Sequence, residues 1–382
     1  MDFSWGEDEI ALRADLRSYI DDNLMPGWTH FDRDLPTAET LAAAVAFCRG
    51  LAERGLLVPG WPKEYGGREI SSWAKVVISE ELRGIGEPRG PQYANTSWLG
   101  PALMNLGTDE QRAELLTAIA AGEAMWCQGF SEPDAGSDLS ALRTAAERDG
   151  DVYIVNGQKI WTSYAHTANY CFLLVRTSKG ENQRHGITIL LVPMNLDGIE
   201  VREIGVLGIH HMLHEVFFND VRVPVSCRLG PENEGWNIIR TLLANERSQT
   251  ATYEQVDRGL DLLVEEARRA GVDTDSDRFL ERVGSAAAAT AADRVLKYAA
   301  IQASNDKSPE YSNLAAVSKA AAALMEAKAS AAFIDVLGPT ALLEDSRGDY
   351  QLVSAIETGI GGGSLEMQLN NIAWYVLKLP KG

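Results

Sequence analysis

The hydrophobic pattern changes its period twice along this 382-residue chain. Before about residue 126, and again after about residue 234, apolar residues recur at the spacing of amphipathic helices. Between residues 140 and 223 the chain instead carries short β-rich runs separated by turn-forming residues. We therefore expect a multidomain α+β protein with a helical domain at 1–126, a β domain at 127–233 and a helical bundle at 234–382.

The helical parts carry recognisable start signals. IALRADLRSYIDDNL has helical spacing, and two further segments open at Thr37 and Thr108, a residue type suited to the N-cap. Near the end, FLERVGSAAAATAADRVLKYAAIQA and NLAAVSKAAAALMEAKASAAFIDVL are rich in alanine. Small side chains let helices approach closely, which favours a bundle in this part of the chain.

Four runs in the middle part predict strands. They are DVYIVNGQKIWTSY, YCFLLVRT, GITILLVPM and HEVFFNDVRVP. The first contains Asn156-Gly157, a dipeptide typical of two-residue hairpin turns. We therefore expect a hairpin at that point.

Charge and composition exclude several classes of function. The net charge of −19 argues against a nucleic-acid binder or a protein held on an anionic membrane. No apolar run reaches the roughly 18 residues that a membrane span requires, and the acidic N-terminus lacks the features of a signal peptide. Four scattered cysteines indicate reduced thiols and a cytoplasmic protein without membrane insertion. These are Cys48, Cys127, Cys171 and Cys227.

Histidines cluster at one point only, in GIHHMLH. His210 and His214 have the H-x-x-x-H spacing that can bind a metal on a helix, with His211 beside them. The segment precedes a predicted strand, and no third ligand is evident. We expect no metal site.

Six ordered motifs along the chain resemble those of the acyl-CoA dehydrogenase family. The most specific are FSEPDAGSD at 130–138 and NGQKIWTSYAHTANY, which follows it. The others are GWPKEYGG, HEVFFNDVRVP, GPENEGW and IGGGSLEMQLNNIA. The resemblance implies the family fold, a helical domain, a β domain and a four-helix C-terminal domain, and it implies an FAD-dependent dehydrogenase of acyl-CoA thioesters.

The same resemblance implies roles for individual residues. Phe130 and Ser131 match positions that contact the flavin ring, Trp161 matches the aromatic residue that covers one face of it, and Ser163 matches a threonine near flavin N5 or O4. Ser137 matches a serine near the bound CoA thioester. A flat uncharged ring stacks well on an aromatic side chain, and hydroxyl groups tune its electron density. A core tryptophan and a simple capping serine are the plain structural alternatives for Trp161 and Ser131.

The reaction of the family requires a carboxylate base near Cα of the thioester. In many members that glutamate lies in a C-terminal loop, where this chain has Gly362. Glu366 begins the following helix, where an acidic residue stabilises the helix dipole. A second group of members draws the base from a long helix, directly before an arginine. Glu246, followed by Arg247 in ANERSQ, matches that pattern and is the predicted base, with Arg247 at the substrate.

A departure from the family pattern concerns the partner. Homotetrameric members complete a neighbour's FAD site with an R-x-x-F-G and a Q-x-L-G-G motif. Here the later motif is IDVLGPT, in which Asp335 and Pro339 replace a glutamine and a glycine. An aspartate repels a pyrophosphate, and proline lacks an N–H donor.

The resemblance is therefore to the base-bearing chain of bacterial steroid-degrading α2β2 acyl-CoA dehydrogenases. It implies a homologous second chain, a bulky steroid-derived acyl-CoA substrate in lipid metabolism, and an electron-transferring flavoprotein as acceptor. Three alternatives stay open. These are a homo-oligomeric dehydrogenase of branched or long-chain acyl-CoA, an acyl-CoA oxidase, and a scaffold subunit without activity.

Overall fold

The protein is described from a computed structural model. It defines residues 5–28, 37–71, 73–179, 182–207, 212–240, 252–343 and 346–380. Backbone contacts divide the chain into two compact units. The first comprises Met1–Asp22, Ile70–Pro88 and Ala244–Gly382, and the second comprises Asn23–Glu69 and Arg89–Leu243. The three domains predicted from the sequence, with boundaries after residues 126 and 233, stay a prediction.

The regular structure of the first unit is helical across its described residues. Its helices span Glu7–Asn23, Ala74–Arg83, Thr252–Arg269, Asp277–Asn305, Tyr311–Leu337, Arg347–Ile360 and Leu365–Asn371. A 3-10 turn follows at Gly338–Leu342, and a wider π-helical turn at Ile372–Val376. The alanine-rich helix Tyr311–Leu337 contacts helices before and after it in the chain. Its Ala329 and Phe333 pack with Tyr253 and Leu263 in one buried cluster, as expected for close helix packing.

The second unit begins with helices that carry the predicted caps. Thr37 caps the helix Ala38–Glu53 by accepting from the Thr40 amide at 3.1 Å. Thr108 forms a capping box with Gln111 at the start of Asp109–Gln111. Both predicted N-caps are therefore confirmed. Further helical segments here are Lys63–Tyr65, Gln92–Ala94, Asn95–Leu99, Gly100–Leu106, Arg112–Leu116 and Thr117–Ala120, and residues 235–240 are also helical.

Strands of the second unit form one sheet. Within the described residues there are eight: β1 (Trp126–Gly129), β2 (Ala145–Asp149), β3 (Val152–Ser163), β4 (Tyr170–Arg176), β5 (Ile187–Pro193), β6 (Ile199–Glu203), β7 (Leu213–Pro224) and β8 (Arg228–Leu229). Their order is β6-β7-β3-β2-β4-β5-β8, with β1 parallel to β4. Short 3-10 turns lie at Leu139–Ala141 and Val225–Cys227. The predicted α+β class is confirmed.

The hairpin expected at Asn156-Gly157 is wrong. Strand β3 runs straight through this dipeptide, and its register with β7 shifts there by a bulge. The Asn156 amide group donates to Asp220 Oδ1 at 2.9 Å and accepts from the Asp220 amide at 2.9 Å. At Gly157, φ is +153°, and a Cβ would lie 2.6 Å from Thr144 Oγ1. The glycine serves a bulge and a close approach of two strands rather than a turn.

Two simple properties of the chain complete the description. None of the described helices is long and apolar enough to cross a membrane. All four cysteines are free thiols, three of them buried and Cys227 half-buried.

Candidate functional site

A second bulge in β3 turns one large aromatic side chain outward. The pairing of β3 with β7 is interrupted after Lys159 and resumes at Thr162, which pairs with His214. Trp161 lies inside this interruption with φ at +60°, a conformation that side-chain-bearing residues rarely adopt. The side chain is 53% exposed. A bulge that re-aims a tryptophan toward solvent is a recurring device next to binding sites.

The loop that follows β1 is joined to this bulge by a backbone hydrogen bond. The Ile160 amide donates to the carbonyl oxygen of Ser131 at 2.9 Å. Phe130 is half-buried, with its ring centre 6.1 Å from that of Trp98 and 5.8 Å from that of Phe172. The structure therefore brings Phe130 and Ser131 beside the bulge that carries Trp161.

Ser163 and Ser137 complete the predicted set within the second unit. Ser163 is half-buried and pairs with Leu213 of β7, two residues beyond Trp161. Ser137 is exposed, farther along the loop after Phe130. An exposed indole can stack against a flat conjugated ring, and serines near it in the chain can hydrogen-bond the polar edge of such a ring. These residues fit a flavin ring.

A buried ion pair lies beneath this surface. Lys159 is fully buried, and its Nζ donates to Glu132 Oε1 at 2.8 Å and to the Phe130 carbonyl at 3.0 Å. Burial lowers the pKa of Lys159, and the nearby carboxylate opposes that effect. Burial opposes ionisation of Glu132 as well, but the charge of Lys159 and hydrogen bonds hold its pKa below the usual range. The carboxylate is therefore ionised at neutral pH.

This pair was not predicted from the sequence, although Glu132 lies in FSEPDAGSD and Lys159 lies in NGQKIWTSYAHTANY. A signal was present. Lys159 sits at an inward-facing position of a strand whose earlier buried positions, Tyr153 and Val155, carry large side chains that pack in the core. A charge at such a position needs a partner, which here lies 27 residues earlier in the chain.

The glycine segment of the first unit has left-handed backbone. Gly362 has φ at +66° and Gly363 has φ at +96°. A Cβ at Gly362 would contact the side chain of Lys319, 3.8 Å from its Cε. Ser364 caps the helix Leu365–Asn371, in which Glu366 is an exposed first-turn residue. Its position fits the helix-stabilising role expected for it.

The two unusual residues of the later bundle motif lie at the end of a helix. Asp335 is in the last turn of Tyr311–Leu337, and its Oδ2 lies 2.9 Å from Nε of Arg282. Pro339 is exposed in the 3-10 turn that follows. The aspartate thus neutralises a cation of a neighbouring helix within the same unit.

Two predicted site residues, Glu246 and Arg247, lie outside the described residues, as do His210 and His211, for which no metal role was expected. His214 is described, and its ring stacks on that of His166 with centres 4.5 Å apart. Across the described ranges, no cluster of three or more His, Cys, Asp or Glu residues is arranged to hold a metal ion.

Comparison with known proteins identifies the family. The acyl-CoA dehydrogenase N-terminal domain matches residues 6–123, the middle domain 127–221 and the C-terminal domain 233–377. The acyl-CoA dehydrogenase IpdE1 of Mycobacterium tuberculosis is 34% identical over 393 aligned positions, which cover 98% of this chain and 99% of that protein.

Solved structures agree over the full length. A chain of the ChsE4-ChsE5 complex from Mycobacterium tuberculosis is 30% identical, with a TM-score of 0.87 and 100% coverage of both chains. A chain of the Tcur3481-Tcur3483 steroid ACAD is 29% identical, with a TM-score of 0.86 and 100% coverage of both. The chain therefore belongs to the acyl-CoA dehydrogenase family, whose members are FAD-dependent oxidoreductases.

Proposed function

We propose that this chain dehydrogenates a bulky, steroid-derived acyl-CoA thioester between Cα and Cβ, as the base-bearing member of a hetero-oligomer. The observation that carries the reaction is the bulge of β3, which exposes Trp161 beside the backbone of Ser131. Support for the steroid class comes from a similar structure of a protein that is named a steroid ACAD.

The residues of the second unit have distinct roles in this proposal. Trp161 offers its indole face to the flavin ring, and the hydroxyls of Ser131 and Ser163 donate to its polar edge. When bound, FAD supplies the acceptor, at N5, for the hydride that leaves Cβ. Phe130 packs beside the ring and helps to exclude water. The exposed Ser137 contacts the thioester end of the substrate.

Glu246 is the proposed base, and Arg247 is proposed to contact the substrate. The left-handed φ of Gly362 supports this assignment indirectly. A glutamate at position 362 would have to adopt a conformation that L-residues disfavour. That position therefore suits glycine, and the proton at Cα needs a carboxylate from elsewhere. Glu366 is a poor candidate, because it is exposed and lies in the first turn of a helix.

Variants at the two glutamates test the assignment. Glu246→Gln should abolish exchange of the α-proton of a saturated acyl-CoA with solvent and lower kcat by roughly a thousandfold or more, the upper range for loss of an acid–base group. The matched control, Glu366→Gln, should keep both activities. Full turnover by Glu246→Gln would mean another base or a scaffold role for the chain.

The proposed partner is a homologous acyl-CoA dehydrogenase chain in an α2β2 assembly. Two observations support it. Asp335 already pairs with Arg282, so this end of the bundle offers a neutralised pair where a phosphate site requires free positive charge. Two of the similar structures are also named as pairs of different chains. Co-expression with a homologous chain, followed by native mass spectrometry, should give a 2:2 complex; a stable tetramer of this chain alone would favour the homo-oligomer.

The electrons are proposed to pass to an electron-transferring flavoprotein, in a cytoplasmic setting. Stopped-flow reoxidation distinguishes this from an oxidase. Fast reoxidation by a flavoprotein acceptor and slow reoxidation by O₂ are expected, and the reverse order would identify an acyl-CoA oxidase.

A further inference from the structure

One buried side chain holds the loop after β1 to the strand that carries Trp161. Lys159 Nζ donates to two acceptors of that loop, the carbonyl oxygen of Phe130 at 3.0 Å and Oε1 of Glu132 at 2.8 Å. The lysine is 0% exposed, and Glu132 is 8% exposed. Both charges are therefore shielded from solvent and interact strongly.

The carboxylate of Glu132 extends the connection to a third segment. Its Oε2 accepts from the Arg143 amide at 2.6 Å, and its Oε1 accepts from the Thr144 amide at 2.8 Å. Thr144 directly precedes β2. The loop also closes on itself, because Glu132 and Ala135 exchange two backbone hydrogen bonds of 3.0 Å. Each oxygen of this buried carboxylate is thus hydrogen-bonded.

The bulge begins directly after Lys159. The next residue, Ile160, donates its amide to the Ser131 carbonyl, and Trp161 follows in its left-handed conformation. The lysine therefore fixes the start of the bulge on one side and the Phe130–Ser131 backbone on the other. Neither Lys159 nor Glu132 reaches the surface that the flavin ring would contact.

We propose that Lys159 and Glu132 are positioning residues for the flavin surface. Their ion pair sets the place of Phe130 and Ser131 relative to Trp161, and so sets the affinity for FAD and the electronic environment of its ring. This inference rests on the proposed flavin role of Trp161. If the pair served stability alone, its removal would leave the Kd for FAD and the flavin spectrum unchanged. The positioning role requires that both change.

The test separates positioning from stability by removing both charges together. Replacing a buried ion pair by apolar residues of similar size often leaves stability intact, whereas removing one partner does not. We therefore expect Lys159→Met to lower the melting temperature and to raise the Kd for FAD about tenfold or more. The double variant Glu132→Leu/Lys159→Met should regain most of the melting temperature but keep the raised Kd and an altered absorbance band of the bound flavin.

A milder variant keeps the test decisive if the double variant does not fold. Glu132→Asp retains the charge but withdraws the carboxylate by one methylene group. It should raise the Kd for FAD severalfold with a smaller fall in melting temperature than Lys159→Met causes, because the buried lysine keeps a charged partner. The matched control is Asp134→Asn in the same loop, whose contact with Arg143 is exposed and 3.6 Å long. It should change neither quantity.

Titration of the apo form with FAD, using the full chain in the assembly that holds flavin, gives the Kd and the flavin spectrum, and thermal unfolding of the same samples gives the melting temperature. A folded double variant, or a folded Glu132→Asp, with the parent Kd and flavin spectrum would overturn the inference. Trp161→Ala distinguishes this from failure of the proposed function. If Trp161→Ala weakens FAD binding while the ion-pair variants do not, only the positioning role fails; if Trp161→Ala also leaves the Kd unchanged, the flavin surface itself is misassigned.

Discussion

Two buried glutamates, one in each unit, have opposite ionisation. Glu132 in the sheet unit faces Lys159 and two backbone amides, and its pKa is held below the usual range. Glu326 in the helical unit is more deeply buried, and burial raises its pKa to about 8. Gln351 donates to its Oε2, while its Oε1 has no hydrogen-bond partner among the described residues. Burial alone does not set the charge; the partner supplied by the fold does.

The helical unit holds a second carboxyl group of the same kind. Asp293 is fully buried, and within the described part of the chain neither of its oxygens has a hydrogen-bond partner. Burial raises its pKa to about 6, although Lys297 and Lys319 act in the opposite direction. The bundle therefore holds acids whose pKa is raised by burial, whereas the sheet unit builds an ionised pair beneath the proposed flavin surface.

Breaking the ionised pair should have the largest effect. Glu132→Gln leaves Lys159 buried beside a neutral amide, which should cost about 3–5 kcal/mol of unfolding free energy at pH 7. Because the pKa of Glu132 is lowered on folding, its stabilising contribution is present above the ordinary glutamate pKa and disappears as the pH falls through the lowered value. Urea unfolding at several pH values measures the effect. A cost independent of pH would contradict an ionised carboxylate.

The same substitution in the helical unit should have the opposite sign. The folded pKa of Glu326 is raised from 4.5 to about 8, so stability is lost as the pH rises through this interval and the loss levels off above it. Glu326→Gln removes the titration and should stabilise the protein at pH 8 by on the order of 2 kcal/mol. This is less than the shift multiplied by about 1.4 kcal/mol per pKa unit, because buried sites relax. Near pH 4.5 the two proteins should be equally stable. Thermal unfolding of both proteins between pH 4.5 and 9 measures the difference in their stability. A difference that does not grow with pH would contradict the account.

Removing the exposed indole should separate binding from stability. Trp161→Ala deletes a side chain that is 53% exposed, so little packing is lost. The loss of a stacking partner, worth about 0.5–1.5 kcal/mol, should weaken FAD binding by up to roughly tenfold. Flavin titration together with a melting curve measures both. A large fall in melting temperature with unchanged FAD affinity would show a core role for Trp161.

The smallest effect is expected at Glu366. This exposed residue stabilises the first turn of the helix Leu365–Asn371, a contribution below about 1 kcal/mol. Glu366→Gln should therefore leave the melting temperature and kcat almost unchanged. A fall in kcat by orders of magnitude would transfer the role of the base to this residue.

Much of the fold followed from local pattern, because periodicity and caps depend on neighbouring residues. The helices beginning at Ala38 and Asp277 and the strands β4, β5 and β7 lie where the spacing predicted them. The turn assigned to Asn156-Gly157 failed, since a local dipeptide preference was overruled by the register with β7 and by the contact with Asp220. Non-local pairing of this kind is not visible in one sequence.

The same contrast between local pattern and non-local contact applies to the candidate site. Motif resemblance placed Phe130, Ser131, Trp161 and Ser163, and the fold explains how a bulge and a loop bring three of them together. The ion pair of Lys159 and Glu132 needed the structure, because its partners lie 27 residues apart and meet only when the loop after β1 folds onto β3. Glu246 rests on the sequence alone, since it lies outside the described residues.

The central claim is that this chain provides the flavin-facing surface and the base but needs a homologous chain to complete FAD binding. The most direct test is the flavin content per chain, from visible and protein absorbance, of the protein purified alone and purified with that partner. The account predicts little or no flavin in the chain alone and a fixed, high content in the complex. Close to one FAD per chain in the lone protein would contradict it and would show a self-sufficient homo-oligomer.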